Sequence, residues 1–305
     1  MLRAGPFPRS PISPSLGKNC YSPRVTLNSH SLATGADWRV DDVVCTSGPH
    51  DAPFEEQHDA MCIAAVTEGT FQYRSESGSA LLAPGSLLLG NQRQCFKCAH
   101  EYGVGDRCLS FHFTPEFLEA GLAGVVSASK VWFTVPSLPP LPSLIPVIAA
   151  AAAARDHQDG AEFEELSLRL AAACLASVAE IRPSSRSITG RDERRIADAL
   201  RRVETDAEGQ LALSDLAREA GMSAYHFLRT FRAVVGTTPY QFVLRTRLHR
   251  AAVRLRRSNE SVAVIAFDAG FGDLSTFNRR FQRIMGLSPG AYRERNRVAS
   301  RQSAI

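Results

Sequence analysis

The C-terminal third of this 305-residue chain carries one residue pattern twice, and the repeat restricts the fold more than any other feature. The copies are about fifty residues apart through their aromatic part and 49 apart just upstream, because Gly272 is an extra residue in the second copy. Such a repeat indicates one supersecondary unit used twice. The matched pairs are Phe227 and Phe277, Arg229 and Arg279, Phe231 and Phe281, Gly236 and Gly286, and Pro239 and Pro289.

Each copy has the pattern of a helix, a tight turn and a second helix. A glycine, Gly221 or Gly270, follows the first helix and can adopt the left-handed conformation that ends it. Ser223 and Asp273 are residue types that cap the start of a helix. The spacing predicts the arrangement of a DNA-binding helix-turn-helix. The predicted helices cover residues 213–220, Ala224–Val235, 262–269 and Leu274–Met285.

The second helix of each copy has two different faces. Its aromatic pair is spaced by four residues, so both rings lie on one face, which is expected to pack in the core. The other face carries side chains suited to DNA, since Arg can bind guanine and Asn can bind adenine through two hydrogen bonds each. Arg can instead bind phosphate, which positions the protein without reading sequence. The candidate DNA-binding residues are Tyr225, Leu228, Arg229, Arg232, Leu274, Ser275, Asn278, Arg279 and Arg283.

A long basic helix, Pro239–Arg257, is predicted to join the two copies. Proline is favourable in the first turn of a helix. Between Arg186 and Arg301 the chain has 22 Arg, no Lys and 12 acidic residues, a net charge of +10, whereas the remainder carries −6. This asymmetry indicates a polyanionic partner for the basic part alone. The arginines expected largely on the surface of the joining helix are Arg245, Arg247, Arg250, Arg254, Arg256 and Arg257.

The preceding part of the chain divides by composition. Residues 1–36, rich in Pro, Ser and Gly, are expected to form a disordered leader without a secretory signal. Residues 37–143 contain short apolar runs between turn residues, which predicts a small β-sandwich or barrel. Residues 144–181 are Ala-rich helices that pack either on the barrel or on a second copy of the chain in a homodimer. Residues 182–190 read as a linker before a DNA-binding domain at residues 191–297.

The C-terminal part resembles the DNA-binding domain of the AraC/XylS family of bacterial transcription regulators. The similarity covers residues 191–295 and is most specific in IAFDAGFGDLSTFNRRFQRIMGLSPGAYR, which begins at Ile265. The upstream barrel, with its PGSLLLG turn, is similar to the cupin-like sensor domain of many members. The resemblance implies an α+β protein: an N-terminal cupin-like β-barrel with a helical segment, then an all-α double helix-turn-helix.

The same resemblance implies a function. It implies a cytoplasmic regulator that binds double-stranded promoter or operator DNA, contacts RNA polymerase and responds to an effector in the barrel. In the family, the residues matching Tyr225, Leu228, Arg229, Leu274, Ser275, Asn278 and Arg279 read bases. Leu228 and Leu274 stand where some relatives carry polar base readers, so they contact thymine methyl groups or no base. No apolar run is long enough to span a membrane, so no membrane partner is expected.

A second candidate site lies in QCFKCAHEYGVGDRCLSFHF. The chain has seven cysteines, and this odd number without a secretory signal predicts reduced thiols. If EYGVGD is a turn, the flanking strands pair and their thiolates and imidazoles converge on zinc or another soft metal. The alternative is that these cysteines only pack in the core, and that the effector is an organic molecule or absent. The candidate ligands are Cys95, Cys98, Cys108, His100 and His112.

Two other classes of function are weighed against a regulator. Barrels of this kind also host metal enzymes, and His50, Glu55 and His58 could ligate a metal. No nucleophile elbow, phosphate-binding loop or dinucleotide fingerprint is present, so catalysis is not expected. The other alternative is a nucleic-acid-binding protein without sequence preference, which competition with random duplex would distinguish.

Overall fold

A computed structural model describes residues 27–121, 131–157, 162–180 and 188–302 as an α+β protein. Strands dominate the first part of the chain, and helices the rest. The strands are β1 (Leu27–Thr34), β2 (Trp38–Cys45), β3 (Phe54–Gln57), β4 (Met61–Gly69), β5 (Phe71–Ser75), β6 (Gly78–Leu82), β7 (Leu87–Gly90), β8 (Cys95–Ala99), β9 (Asp106–Phe113) and β10 (Ser137–Leu138). The helices are α1 (Pro115–Gly121), α2 (Ile145–His157), α3 (Glu162–Glu180), α4 (Gly190–Asp206), α5 (Leu213–Glu219), α6 (Ala224–Val235), α7 (Pro239–Arg257), α8 (Val262–Asp268), α9 (Leu274–Met285) and α10 (Pro289–Gln302).

The strands form two antiparallel sheets. One has six strands in the order β1-β2-β9-β4-β7-β10, and the other has four in the order β3-β8-β5-β6. Side chains from both sheets, including Cys62, Tyr73, Cys98 and Cys108, share one apolar cluster. The two sheets are not closed among the described residues, so a cupin-like barrel is not confirmed, although the α+β class is.

The expected hairpin between β8 and β9 is wrong. The strand β8 pairs with β3 and β5, whereas β9 pairs with β2 and β4. The segment between them therefore passes from one sheet to the other instead of reversing within one. Cys98 and Cys108, which the sequence placed on paired strands, therefore lie in different sheets, although both side chains belong to the cluster between them.

The Ala-rich helices pack on the six-stranded sheet of their own chain. Phe163, Leu166, Leu170 and Cys174 of α3 are almost completely buried in the core that also contains strand residues. The helix α2 lies between this sheet and the DNA-binding part, because alanines line both of its faces. Its Ala149 packs against α7 in a separate cluster. These α3 residues are expected from the sequence to pack either on the strands or on a second copy of the chain, and they are buried within the chain. The homodimer stays a prediction.

The seven C-terminal helices form two helix-turn-helix units around α7. The units α5–α6 and α8–α9 each have their own core, and α7 contributes residues to both. Thr238 caps α7 through a reciprocal pair of contacts with Gln241, and Pro239 follows in the first turn. Gly221 and Gly270 have φ angles of 61° and 79°, as the turns require. The predicted double helix-turn-helix is therefore confirmed.

The predicted leader and linker differ in extent from the prediction. Residues 27–34 of the expected leader form β1, which pairs with β2 along most of its length, so that part of the prediction is wrong. The strand is polar and mostly exposed, as an edge strand can be, and so has no apolar signal. Residues 1–26 of the leader, and residues 182–187 of the linker, lie outside the described residues. Thr189 caps α4, which begins at Gly190. Within the described residues, no helix is both long and apolar enough to cross a membrane.

Candidate nucleic-acid interface

The helix α6 presents a basic, aromatic face to solvent. Its Ser223 cap accepts a hydrogen bond from the His226 amide, and Phe227 and Phe231 are completely buried. These contacts fix the rotation of the helix. They leave Tyr225 70% exposed, and the Arg229 guanidinium lies 5.5 Å from the centre of its ring. Among the other candidates on this helix, Arg232 is exposed and Leu228 is half-buried.

The helix α9 is built in the same way. Asp273 accepts a hydrogen bond of 2.7 Å from the Thr276 amide, and the buried pair Phe277 and Phe281 orients the helix. Leu274 packs partly against the second core, which leaves little of it for DNA. Two further candidates differ in burial: Asn278 is half-buried, with no hydrogen-bond partner for its buried Oδ1, whereas Ser275 is exposed.

The exposed arginines of these two helices carry charge that the protein does not neutralise directly. Within the part of the chain that the structure describes, no salt bridge forms to Arg229, Arg232, Arg279 or Arg283. Each of these side chains is exposed. The hydrogen bond from the Thr276 amide chiefly lowers the pKa of the Asp273 carboxyl, and the nearby Arg279 lowers it further without forming a salt bridge with it. Exposed cations without a salt bridge favour binding of an anionic polymer.

The arginines of α7 are half-buried, apart from the exposed Arg257, and none of them belongs to the buried stripe of the helix. All six make contacts inside the protein, which their expected position at the surface did not indicate. Arg254 binds Glu260 and Asp268, Arg250 binds Glu208, and Arg245 binds the Pro140 carbonyl. Arg256 and Arg257 bind Glu162 and Asp156 of the preceding helices. Much of the basic charge therefore stabilises the domain and its attachment to the sheets.

Arg247 holds the two helix-turn-helix units together. Its guanidinium donates to the carbonyls of Ala207 and Gly209 before the first unit, at 2.5 and 2.7 Å, and to that of Gly270 in the second, at 2.7 Å. The sequence did not indicate this role, because an arginine on a basic helix has no local feature that identifies carbonyl partners far along the chain. The contacts fix the relative placement of α6 and α9.

Of the residues predicted to bind metal, Cys98 and Cys108 share the apolar cluster between the sheets, as expected, but among the described residues the five do not form one ligand group. Cys95 is disulfide-bonded, contrary to the expectation of reduced thiols, so its thiolate is not available. Cys98 and Cys108 are buried between the sheets, and burial raises the pKa of both thiols. His112 is four residues along β9 from Cys108, roughly 13 Å at the rise of an extended strand. Its ring contacts Ser110 at 2.9 Å instead. Zinc at this set stays a prediction without geometric support.

The residues considered for an enzyme are also separate. His58 is buried against Tyr73, with its Nε2 3.0 Å from the phenol oxygen, and stacks on Phe96. Glu55 accepts a bond of 2.8 Å from Lys97 on the exposed side of the four-stranded sheet. His50 is exposed in the loop before β3. These three side chains make separate contacts and form no shared ligand set.

An unpredicted group consists of Cys45, His100 and Asp106. Their ligand atoms lie within 4.8 Å of one another. His100 Nε2 is 2.6 Å from Asp106 Oδ1, and the ring also hydrogen-bonds to Cys45. The spacing is short enough for one metal ion, but hydrogen bonds already connect the three groups. Cys45 is 55 residues from His100 in the sequence, so no local motif could have found it.

This group borders a cleft of about 1230 Å³ between the sheets and the DNA-binding helices. The walls come from the ends of β2, β4 and β9 on one side and from α2, α4 and α7 on the other. Direct bonds also join the two parts: the Gly69 amide donates to Glu204 of α4 at 2.7 Å, and Gln72 donates to Glu193 at 3.0 Å. A molecule bound in this cleft would contact both parts.

Two helix-turn-helix units with unneutralised arginines on their second helices define a DNA-binding protein. A family model described as "Helix-turn-helix domain" matches residues 216–295. The chain is 33% identical over 98 residues to the HTH-type transcriptional activator AarP of Providencia stuartii, which covers 32% of this chain and 73% of that protein. The chain therefore belongs to the AraC-type family of helix-turn-helix transcription regulators.

Other relatives are matched through the same domain. The chain is 39% identical over 88 residues to the MmsAB operon regulatory protein of Pseudomonas aeruginosa, covering 29% of each chain. It is 34% identical over 99 residues to a putative AraC-like transcription regulator of Streptomyces lividans, covering 32% of this chain and 33% of that one. The match thus spans about a third of the length of these two relatives.

Proposed function

We propose that this regulator recognises a specific duplex sequence by placing α6 and α9 in two successive major-groove segments on one DNA face. One observation carries the proposal: the two helices with free arginines are held in one rigid unit by α7 and Arg247. Helices that enter successive major grooves are separated by about 34 Å along the DNA. Phosphate contacts supply most of the affinity, so binding weakens as salt rises.

The residue roles follow from exposure. Arg229 and Arg279, near the middle of their helices, are proposed to bind guanine, and Ser275 and Asn278 to contact bases beside Arg279. Arg232 and Arg283 lie one turn further along and are proposed to bind phosphates. The exposed ring of Tyr225, in the preceding turn, is proposed to hold the Arg229 guanidinium in place. Leu274 is proposed to anchor α9 to the second core, on which it packs, and not to contact DNA.

The part before α4 is proposed to be the sensor, resembling a cupin-like domain in its two facing sheets. The cleft of about 1230 Å³ at the interface is large enough for an organic effector. A molecule bound there would change DNA affinity only if its own affinity differed between two arrangements of the protein, one in which the DNA-binding part contacts the sheets and one in which it does not. RNA polymerase and a second copy of the chain are proposed as further partners, and the cytoplasm as the site of action.

The test is a selection from duplex DNA with a randomised central segment, using the full chain. We expect enrichment of one sequence with two elements about 10 base pairs apart, the length of one helical turn. The enriched duplex should bind at least about 10³ times more tightly than random duplex at the same salt concentration. The variant Arg169→Ala is the matched control, since it removes one exposed, paired arginine of α3 without touching the proposed interface.

The competing function is nucleic-acid binding without sequence preference, which the exposed arginines alone would also support. In that case the library would emerge from selection without enrichment, and random duplex would compete as well as any selected one. Such a result would reject the proposed specific regulator while leaving the basic surface as a phosphate-binding face.

A further inference from the structure

We propose that Cys45 is a reactive thiol in the wall of the interdomain cleft, that organic α,β-unsaturated carbonyl compounds modify it, and that the adduct changes DNA affinity. The last clause rests on the proposed DNA-binding function; the reactivity does not. The site is assigned from geometry: Cys45 ends β2, Asp106 begins β9 directly opposite it, and His100 follows β8. Three segments therefore bring a thiol, an imidazole and a carboxylate together.

The group has the arrangement of an activated thiol. His100 bonds Asp106 at 2.6 Å and is only 2% exposed, so the ring is held between the carboxylate and the sulfur. Asp106 Oδ2 also accepts from Cys108 Sγ at 3.2 Å, which fixes the carboxylate. A neighbouring imidazolium stabilises a thiolate, and the thiolate is the nucleophilic form of cysteine.

Its polar partners distinguish Cys45 from the other free thiols of the described residues, because its sulfur lies within 4.8 Å of both an imidazole nitrogen and a carboxylate oxygen. Burial would raise the pKa of Cys45, but its hydrogen bonds with His100 and Ser47 lower it overall. Burial would lower the pKa of His100, whereas the bonds with Asp106 and Cys45 raise it to about 9. Burial instead raises the pKa of Cys62 to about 12 and also raises that of Cys174. The surroundings that activate Cys45 are thus absent around those two cysteines.

The cleft favours an organic electrophile. Cys45 and Asp106 both line it, with Cys45 3% exposed, and its volume of about 1230 Å³ can hold an organic molecule. Its walls carry charged residues, among them Arg155, Glu204 and Arg245, as well as apolar side chains from both sides of the interface, so it suits an organic molecule with polar and apolar parts. The apolar wall residues are Val44, Val66, Val104, Ile148 and Phe242.

The chemistry is a conjugate addition. The Cys45 sulfur forms a bond to the β-carbon of the unsaturated carbonyl compound, and the electron pair of the carbon–carbon double bond moves to give an enolate. His100 donates its proton to the enolate carbon and becomes a neutral imidazole. The product is a saturated thioether adduct, without a leaving group, oxidant or reductant.

The adduct site is connected to the DNA-binding helices. Tyr102 lies between His100 and Asp106 in sequence and packs in the core of the first helix-turn-helix unit, with the Arg194 guanidinium 5.5 Å from its ring centre. Gly69, which is opposite Asp106 in the sheet, donates to Glu204 of α4. A bulky group on Cys45 would separate the imidazole from the sulfur and displace this loop, and with it the docking of α4.

The first experiment measures reactivity in the full chain, with N-ethylmaleimide as the probe at pH 7 in the presence of a chelator. Peptide mass spectrometry follows the labelling of each cysteine with time. We expect Cys45 to react at least about tenfold faster than Cys62, Cys98, Cys108 and Cys174. His100→Gln should slow Cys45 to the range of an ordinary buried thiol. Equal or slower labelling of Cys45 in the wild type would overturn the proposal without any reference to DNA or to a variant's folding.

The second experiment measures DNA affinity before and after stoichiometric labelling of Cys45. We expect a change of about fivefold or more, the usual scale of coupling between sites. Cys45→Ser should bind DNA like the untreated protein and should not respond to the probe, while Cys174→Ser should respond like the wild type. Labelled Cys45 with unchanged affinity would reject the regulatory effect. Absence of specific DNA binding before labelling would instead reject the proposed function and leave the reactive thiol standing.

Discussion

Arg247 donates a hydrogen bond of 2.7 Å to the carbonyl of Gly270, and through this bond the helix joining the two DNA-binding units holds the turn of the second one. The same guanidinium donates to the carbonyls of Ala207 and Gly209 beside the first unit. A planar group with donors in a fixed fork can satisfy three carbonyls in this way, whereas an ammonium group cannot reach all three. The spacing of α6 and α9 therefore depends on this side chain as well as on the cores that α7 shares with both units.

Replacing Arg247 with lysine should weaken this connection. Hydrogen bonds from a charged donor contribute about 1.5–3 kcal/mol, and loss of some of these leaves carbonyls unsatisfied. We expect Arg247→Lys to lower the unfolding temperature of the full chain, followed by circular dichroism, and to weaken binding of the selected duplex. Arg218→Lys is the matched control, because Arg218 is exposed and pairs with the nearby Asp215. An unchanged unfolding temperature would show that the three contacts contribute little.

Glycine at position 270 is required for two reasons. Its φ angle is 79°, and an added Cβ would lie 2.4 Å from the Glu208 carbonyl oxygen. Gly286 has nearly the same φ angle, 78°, but open space around it. We expect Gly286→Ala to reduce the free energy of unfolding by about 1–2 kcal/mol, the cost of the left-handed conformation. Gly270→Ala should cost clearly more, and denaturant unfolding of both variants would measure the difference. Equal effects would mean that the turn moves away from Glu208 freely.

Local signals explain what the sequence could predict. Ser223, Thr238 and Asp273 are observed as helix caps because a cap depends on residues within one turn. The aromatic pairs are buried as expected, because a spacing of four places both rings on one side of a helix. These features sufficed to place the helices of both helix-turn-helix units.

Long-range contacts explain what the sequence could not predict. The partner of Arg256 is Glu162, 94 positions away, so its role could not be separated from that of a DNA-binding arginine. The pairing of β8 with β5, and not with β9, depends on which sheet receives each strand. Because the chain passes from one sheet to the other between β8 and β9, His100 lies beside Cys45 and Asp106 and does not join His112 in a ligand group.

Acid should destabilise the protein through His58. Burial lowers the pKa of His58 to about 3, whereas a histidine in the unfolded chain has a pKa of about 6.5. Below pH 6.5 the unfolded chain binds a proton that the folded chain excludes, so this part of the stability is present above pH 6.5 and is lost as the pH falls towards 3. At pH 5 the loss is about 2 kcal/mol relative to neutral pH.

The variant His58→Gln tests this, because its side chain does not titrate in that range. Its free energy of unfolding should fall less between pH 7 and pH 5 than that of the wild type, even if it is lower at pH 7. His50→Gln, in an exposed loop, should behave like the wild type. Parallel pH curves for the wild type and His58→Gln would contradict the assignment.

Base reading and phosphate binding by the exposed arginines should separate in a mutation series. Arg279→Ala is expected to cost about 1–3 kcal/mol on the selected duplex and to relax preference at one base pair. Arg283→Ala should weaken binding to all sequences alike and reduce the salt dependence by about one phosphate contact. Leu274→Ala should chiefly lower the unfolding temperature, because this side chain packs on the second core. Affinities on single-base variants of the duplex, at several salt concentrations, would measure all three. Uniform weakening by Arg279→Ala would make this residue a phosphate contact, and sequence reading by α9 would then have to come from Ser275 and Asn278.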